Sequence, residues 1–182
     1  MTRYVAFLRA INVGGHVVKM ETLRALFVSM RLASVETFIA SGNVIFETNT
    51  KDIAGLHEKI ARSLHKSLGY EVSTFLRTDA EVSAIARYKP FPDEAMASAV
   101  TFCVGFLGAP PSAEAERKAL GLKTAMDDFH LHGSELYWLS RQRQSESSFS
   151  NAVFEKAVGV RATFRGMNTI QRLTTKYPAP EL

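Results

Sequence analysis

The chain has 182 residues, 46% of them hydrophobic and 22% charged, enough to bury a core as one domain or as two small halves. Its formal charge of +4 permits a polyanionic partner without requiring one, because net charge governs association and not fold. The single cysteine, Cys103, excludes an intrachain disulfide and any cysteine-rich metal site.

The first residues, Met-Thr-Arg-Tyr-Val, lack the apolar region of a signal peptide. No apolar run approaches the ~18 residues that cross a bilayer. The expectation is a cytoplasmic protein without a membrane partner.

In chain order, residues 4–8 read as a strand. Met20, Leu23, Leu26, Phe27 and Met30 mark one apolar face of a helix. Residues 35–39 and 44–47 are short β-rich runs around Ala40-Ser41-Gly42-Asn43, a hairpin signal. A second helix carries Ile53, Leu56, Ile60, Leu64 and Leu68 on one face and stops at Gly69, which suits a helix C-cap. Residues 72–77 form a further strand. Thr78 with Glu81 then opens a helix in capping-box spacing.

Residues 88–99 hold two prolines and an acidic turn and mark the boundary. The second part repeats the order. A strong strand covers 100–107, and Pro110-Pro111-Ser112 opens a short helix. A hairpin over 128–132 and 135–140 turns through Gly133-Ser134. Asn151 can cap a helix buried by Val153, Phe154, Ala157 and Val158. A last strand covers 162–165, and Asn168 with Gln171 caps a final helix over 170–177.

The order β-α-β-β-α-β thus occurs twice, each time the ferredoxin-like plan. The expected architecture is α+β: a first half over 1–87, a connector over 88–99, and a second half with the final helix over 100–182. The duplication is one of element order, without obvious sequence identity. The plan makes the first and third strands of a half antiparallel neighbours. It therefore brings the loop after the first strand (Arg9, Asn12, Gly14, Gly15) beside Ser41, Gly42 and Asn43. The helix start near Lys19 opens at the same edge.

Four stretches carry a resemblance: Leu-Arg-Ala-Ile-Asn-Val-Gly-Gly (8–15), Ser-Gly-Asn-Val-Ile-Phe (41–46), Asn-Ala-Val-Phe-Glu-Lys (151–156) and Thr-Phe-Arg-Gly-Met-Asn-Thr (163–169). Together they resemble the bacterial family known as domain of unknown function 1697. The chain departs from that family's last motif at Gly166 and Met167, where Asn and Trp are usual. It also departs at residues 145–150. The resemblance implies a compact α+β protein with two ferredoxin-like halves. It brings no established activity.

For function, the leading expectation is a binding protein for an anionic small molecule or nucleotide-like ligand. Its site would be lined by Arg9, Asn12, Gly14, Gly15, Lys19, Ser41, Gly42 and Asn43. Glycines let backbone N–H groups approach a ligand, and a helix N-terminus favours negative charge. Neither G-x-x-x-x-G-K-[ST] nor G-x-G-x-x-G occurs here. The plainer reading is two tight turns with Asn12 bonded locally, which is how most glycine turns behave.

Two alternatives stay open. One is nucleic-acid binding through residues 141–176, where seven basic residues face two acidic ones; Arg141, Arg143 and Arg165 would grip phosphates. The other is an enzyme whose site is shared by both halves, with Glu155 as acid/base; Asn151 and Asn168 lie in the same motifs. The strand aromatics do not make the paired stacking platform of an RNA-recognition sheet. Among the histidines, only His130 and His132 share a strand face, too few for a catalytic zinc site. No metal or cofactor is expected, Cys103 reads as a small buried strand residue, and the oligomeric state is not legible.

Overall fold

The computed structural model describes residues 1–12 and 15–180. The chain divides into two compact units, residues 1–83 with 173–182, and residues 84–172.

In the first unit, β1 (Thr2–Leu8), α1 (Met20–Ser29), β2 (Ala33–Phe38), β3 (Asn43–Thr48), α2 (Ile53–Leu68) and β4 (Thr74–Thr78) follow one another. The sheet order is β2-β3-β1-β4, with every neighbour antiparallel. This is the ferredoxin-like arrangement with β1 and β3 central. Each helix forms because its apolar residues recur on one face. Leu23 and Phe27 of α1, and Leu56, Ile60 and Leu64 of α2, pack onto Tyr4, Ala6, Leu8, Val44 and Phe46. Full burial of each large side chain contributes roughly 1.5–3 kcal/mol. The Asp52 carboxylate caps α2 by accepting from Gly55 N–H at 2.9 Å. Gly69 ends the helix at φ 81°, as its position in the sequence predicts.

The chain enters the second unit within α3 (Asp79–Arg87). Its capping box is formed: Thr78 N–H donates to Glu81 Oε2 at 2.7 Å, and Glu81 N–H donates to Thr78 Oγ1 at 3.2 Å. A short α4 (Asp93–Ala97) follows. Then come β5 (Thr101–Leu107), α5 (Ala113–Leu120), β6 (Asp127–His132), β7 (Glu135–Ser140), α6 (Asn151–Val158), β8 (Ala162–Gly166) and α7 (Met167–Lys176). The order β6-β7-β5-β8 repeats that of the first sheet. Its core joins Leu107, Leu136 and Trp138 to Phe129, Phe149, Phe154 and Val158.

Two expected caps differ. Ser150, not Asn151, caps α6, its hydroxyl accepting from Val153 N–H at 3.2 Å. Asn151 is instead the first helical residue. The last helix starts at Met167, so Asn168 lies inside its first turn, because the strand runs straight into the helix.

The duplication extends to register. Laid over one another, β1 and β5 share Thr2 with Thr101, Val5 with Val104, Phe7 with Phe106 and Leu8 with Leu107. Val5 pairs with Arg77, and Val104 pairs with Arg165. Both arginines are buried. Four scattered identities escape a linear reading but become plain once the strands are aligned by their partners.

Gly105 opposes Phe164, and a Cβ on it would lie 2.6 Å from that ring. Phe164 has little room to yield, because its ring already meets Phe149 and Phe154 edge-on at 5.5 and 5.9 Å. Gly105→Ala is expected to lose about 1–3 kcal/mol by overpacking. Denaturant unfolding followed by Trp138 fluorescence measures this, and an unchanged midpoint would contradict it.

Candidate functional site

The loop after β1 and the β2–β3 hairpin do meet. Leu8 N–H donates to Gly42 O at 2.8 Å, and Arg9 N–H donates to Ser73 O at 2.9 Å. Asn12 joins the two loops through its side chain. Its Nδ2 donates to Ala40 O at 2.9 Å, while its Oδ1 accepts from Val18 N–H at 2.7 Å. One amide thus fixes the hairpin tip and the approach to α1 at once. Asn43 is wholly buried and donates to Phe38 O and Ser41 Oγ, both at 2.9 Å, closing the hairpin from within. Gly42 is buried at φ 82°.

Two of the four non-glycine residues with positive φ among the described residues lie here, with Arg31 and Ser34 elsewhere. Ala10 and Ile39 adopt φ of 56° and 52°, joined by Gly15 at 87° and Gly42. Left-handed backbone costs an ordinary residue about 1–2 kcal/mol, and a β-branched one is an outlier there. Such strain persists where surrounding contacts impose it, and it clusters at binding sites and clamps. The hairpin's Ile39 is also exposed, as is Val17 beside the Asn12 contact.

At the same edge Lys19 holds the N-cap position of α1, and no side chain caps the helix. The amides of Met20, Glu21 and Thr22 precede the first intrahelical bond, from Leu23 N–H to Lys19 O. Their partial positive charge adds to that of Lys19 and Arg9, and Glu21 in the same turn offsets part of it. His16 stacks on Tyr70 with ring centroids 3.9 Å apart, tying the loop to the turn before β4.

The expected residues therefore divide by role. Asn12, Gly42 and Asn43 build the edge from inside. Gly15, Lys19 and Ser41 face solvent, Arg9 is half-buried, and Gly14 lies outside the described residues. Sequence reasoning missed Ala10 and Ile39, since neither residue type signals left-handed backbone.

The second candidate set is dispersed. Arg141 and Arg143 are exposed in the loop after β7. Arg165 is interior, its guanidinium donating to Thr163 Oγ1 and Phe164 O at 2.8 and 2.9 Å; burial pulls its pKa down to about 10. Lys176 belongs to the first unit and pairs with Glu36 at 3.1 Å. Arg165 thus does not join Arg141 and Arg143 at the surface. Strand alternation in β8 turns Arg165 inward.

Asn151 and Glu155, one helical turn apart on α6, hold the start of β8. Asn151 Nδ2 donates to Ala162 O at 2.9 Å, and Ala162 N–H donates to Glu155 Oε1 at 3.1 Å. Asn168 is exposed on α7. His130 meets the Tyr88 hydroxyl at 2.9 Å, and His132 stacks on the Tyr88 ring at 4.2 Å. Among the described residues, no group of three or more His, Cys, Asp or Glu is placed to hold a metal ion. Burial pushes the Cys103 thiol up to about 11, so it stays protonated at neutral pH. Among the described residues, no helix is long and apolar enough to cross a membrane.

The sheets and loops define an α+β protein of two ferredoxin-like halves with a strained, polar loop edge on the first. The chain belongs to the family described as protein of unknown function, DUF1697, whose sequence profile matches residues 1–137. That match ends before the 151–156 and 163–169 motifs. Among solved structures, the chain is similar to a conserved bacterial protein from Streptococcus pneumoniae, at 21% identity and a TM-score of 0.78 over 98% of this chain and 99% of that one. At that identity the likeness shows the fold. No curated protein matches the chain.

Proposed function

We propose that the protein binds an anionic small molecule, nucleotide-like in its phosphate, at the edge formed by the first loop and the β2–β3 hairpin. The observation that carries this reading is the Asn12 bridge. It holds two strained loops together beside a helix start that no side chain caps. Left-handed Ala10 and Ile39 fix the backbone of both loops, and fixed loops lose less entropy when a ligand arrives. Lys19 and Arg9 supply charge, the amides of α1 supply donors, and Ser41 supplies a hydroxyl from the facing side. The protein would act in a bacterial cytoplasm, where such metabolites are found.

Isothermal titration with ATP and with inorganic phosphate tests the reading. Lys19→Ala and Arg9→Ala are each expected to weaken binding about tenfold, the scale of one lost charge-assisted hydrogen bond. Equal affinity of both variants and the parent protein would remove this edge as the site.

A further inference from the structure

We propose that the first unit carries a second binding site, for a small organic carboxylate, in the pocket between the end of α1 and the start of α2. It lies at the opposite end of β3 from the hairpin: Asn43 opens that strand and Thr48 closes it. The pocket encloses about 270 Å³. That is just under the ~300–1,000 Å³ of drug-sized sites, so its ligand is small.

The floor is apolar, made by the buried Met30, Leu32 and Leu56. The rim is rich in donors: Arg31, Lys59, Thr48 and Thr50. The Lys59 ammonium donates to Met30 O at 2.7 Å, which holds it over the floor with two further protons to give. The Thr48 and Thr50 oxygens accept from the amides of Thr50 and Asp52, both at 3.2 Å, and their hydroxyl protons have no acceptor among the described residues. The Arg31 guanidinium has no partner among them either. Asp52 is the one acidic group on the lining, and it is engaged in capping α2. Donors outnumber acceptors around an apolar floor, which matches a carboxylate on a compact apolar body.

A separate observation points the same way. Arg31 follows the end of α1 at φ 62°, where helices usually place glycine. An arginine there lowers stability, and its charge at the pocket mouth gives a reason for it to stand there.

The test titrates the protein with benzoate, benzamidine and inorganic phosphate, following backbone amides by NMR. Benzamidine keeps the ring and reverses the charge; phosphate keeps the charge and lacks the ring. Benzoate alone is expected to give saturating shifts at Leu32 and Gly55, with Gly15 unmoved, which separates this site from the loop edge. Arg31→Gly should leave the melting temperature equal or higher, since glycine suits that backbone, while weakening benzoate about tenfold. Lys59→Met should weaken it as well. Absence of saturating shifts, equal response to benzamidine or phosphate, or full affinity in Arg31→Gly would overturn the proposal.

Discussion

Gly42→Ala is expected to destabilise the first unit by about 3 kcal/mol, combining roughly 1–2 for left-handed backbone and roughly 1–3 for overpacking. Gly42 holds φ 82°, and an added Cβ would lie 2.5 Å from Ile11 Cγ2 and 3.3 Å from Leu8 Cβ. Neither neighbour has room to move, since both are buried. Gly15 provides the control. Its φ is 87°, yet a Cβ there would meet nothing within 4 Å. Gly15→Ala should therefore show the backbone cost alone, about 1–2 kcal/mol. Denaturant unfolding followed by far-ultraviolet circular dichroism measures both. Equal losses in the two variants would mean that Gly42 is no point of close contact between loop and hairpin.

Asp127→Ala should destabilise the second unit by about 1–3 kcal/mol, because it leaves the buried Trp138 N–H without an acceptor. The Asp127 carboxylate is buried at the start of β6. It accepts from Trp138 Nε1 at 2.9 Å and from the hydroxyls of Thr124 and Ser147 at 3.0 Å each. Burial alone would raise its pKa, but hydrogen bonds from Trp138, Ser140, Thr124 and Ser147 outweigh it and hold the group below its usual value. A carboxyl group whose pKa is lower folded than unfolded adds stability above its unfolded pKa, about 3.9, and that stability is lost as pH falls through the folded value. The parent protein should accordingly weaken on acidification below about pH 4 more than Asp127→Asn does. Trp138 is the chain's one tryptophan, so its fluorescence reports this unit directly. A variant unfolding at the parent midpoint would show that the carboxylate holds nothing in place.

Much of the fold was legible because its signals are local. Apolar spacing gave α1 and α2, Gly69 and the Thr78–Glu81 pair gave a stop and a start, and the element order gave the sheet topology. The meeting of Gly42 with Leu8 then followed from topology alone. What stayed hidden depends on tertiary contact. Ser150 and Asn151 are both good caps by type, and only the pull of Ala162 on the Asn151 side chain assigns the role to Ser150. The charge run over 141–176 read as one patch because a linear sum ignores which way a strand residue points, and Arg165 points inward. The strained φ of Ala10 and Ile39 is imposed by neighbours and has no mark in residue type. Arg31 was equally silent, since neither its type nor its spacing marks a pocket at the end of α1.

The most direct test of the loop edge as a binding site is an NMR titration of the full chain with ATP, following backbone amides. Saturating shifts are expected at Gly15, Lys19, Met20, Glu21 and Ser41, and they should be lost in Lys19→Ala. Shifts confined to the exposed loop around Arg141 and Arg143, vanishing steeply with added salt, would contradict this and favour phosphate contact through that loop.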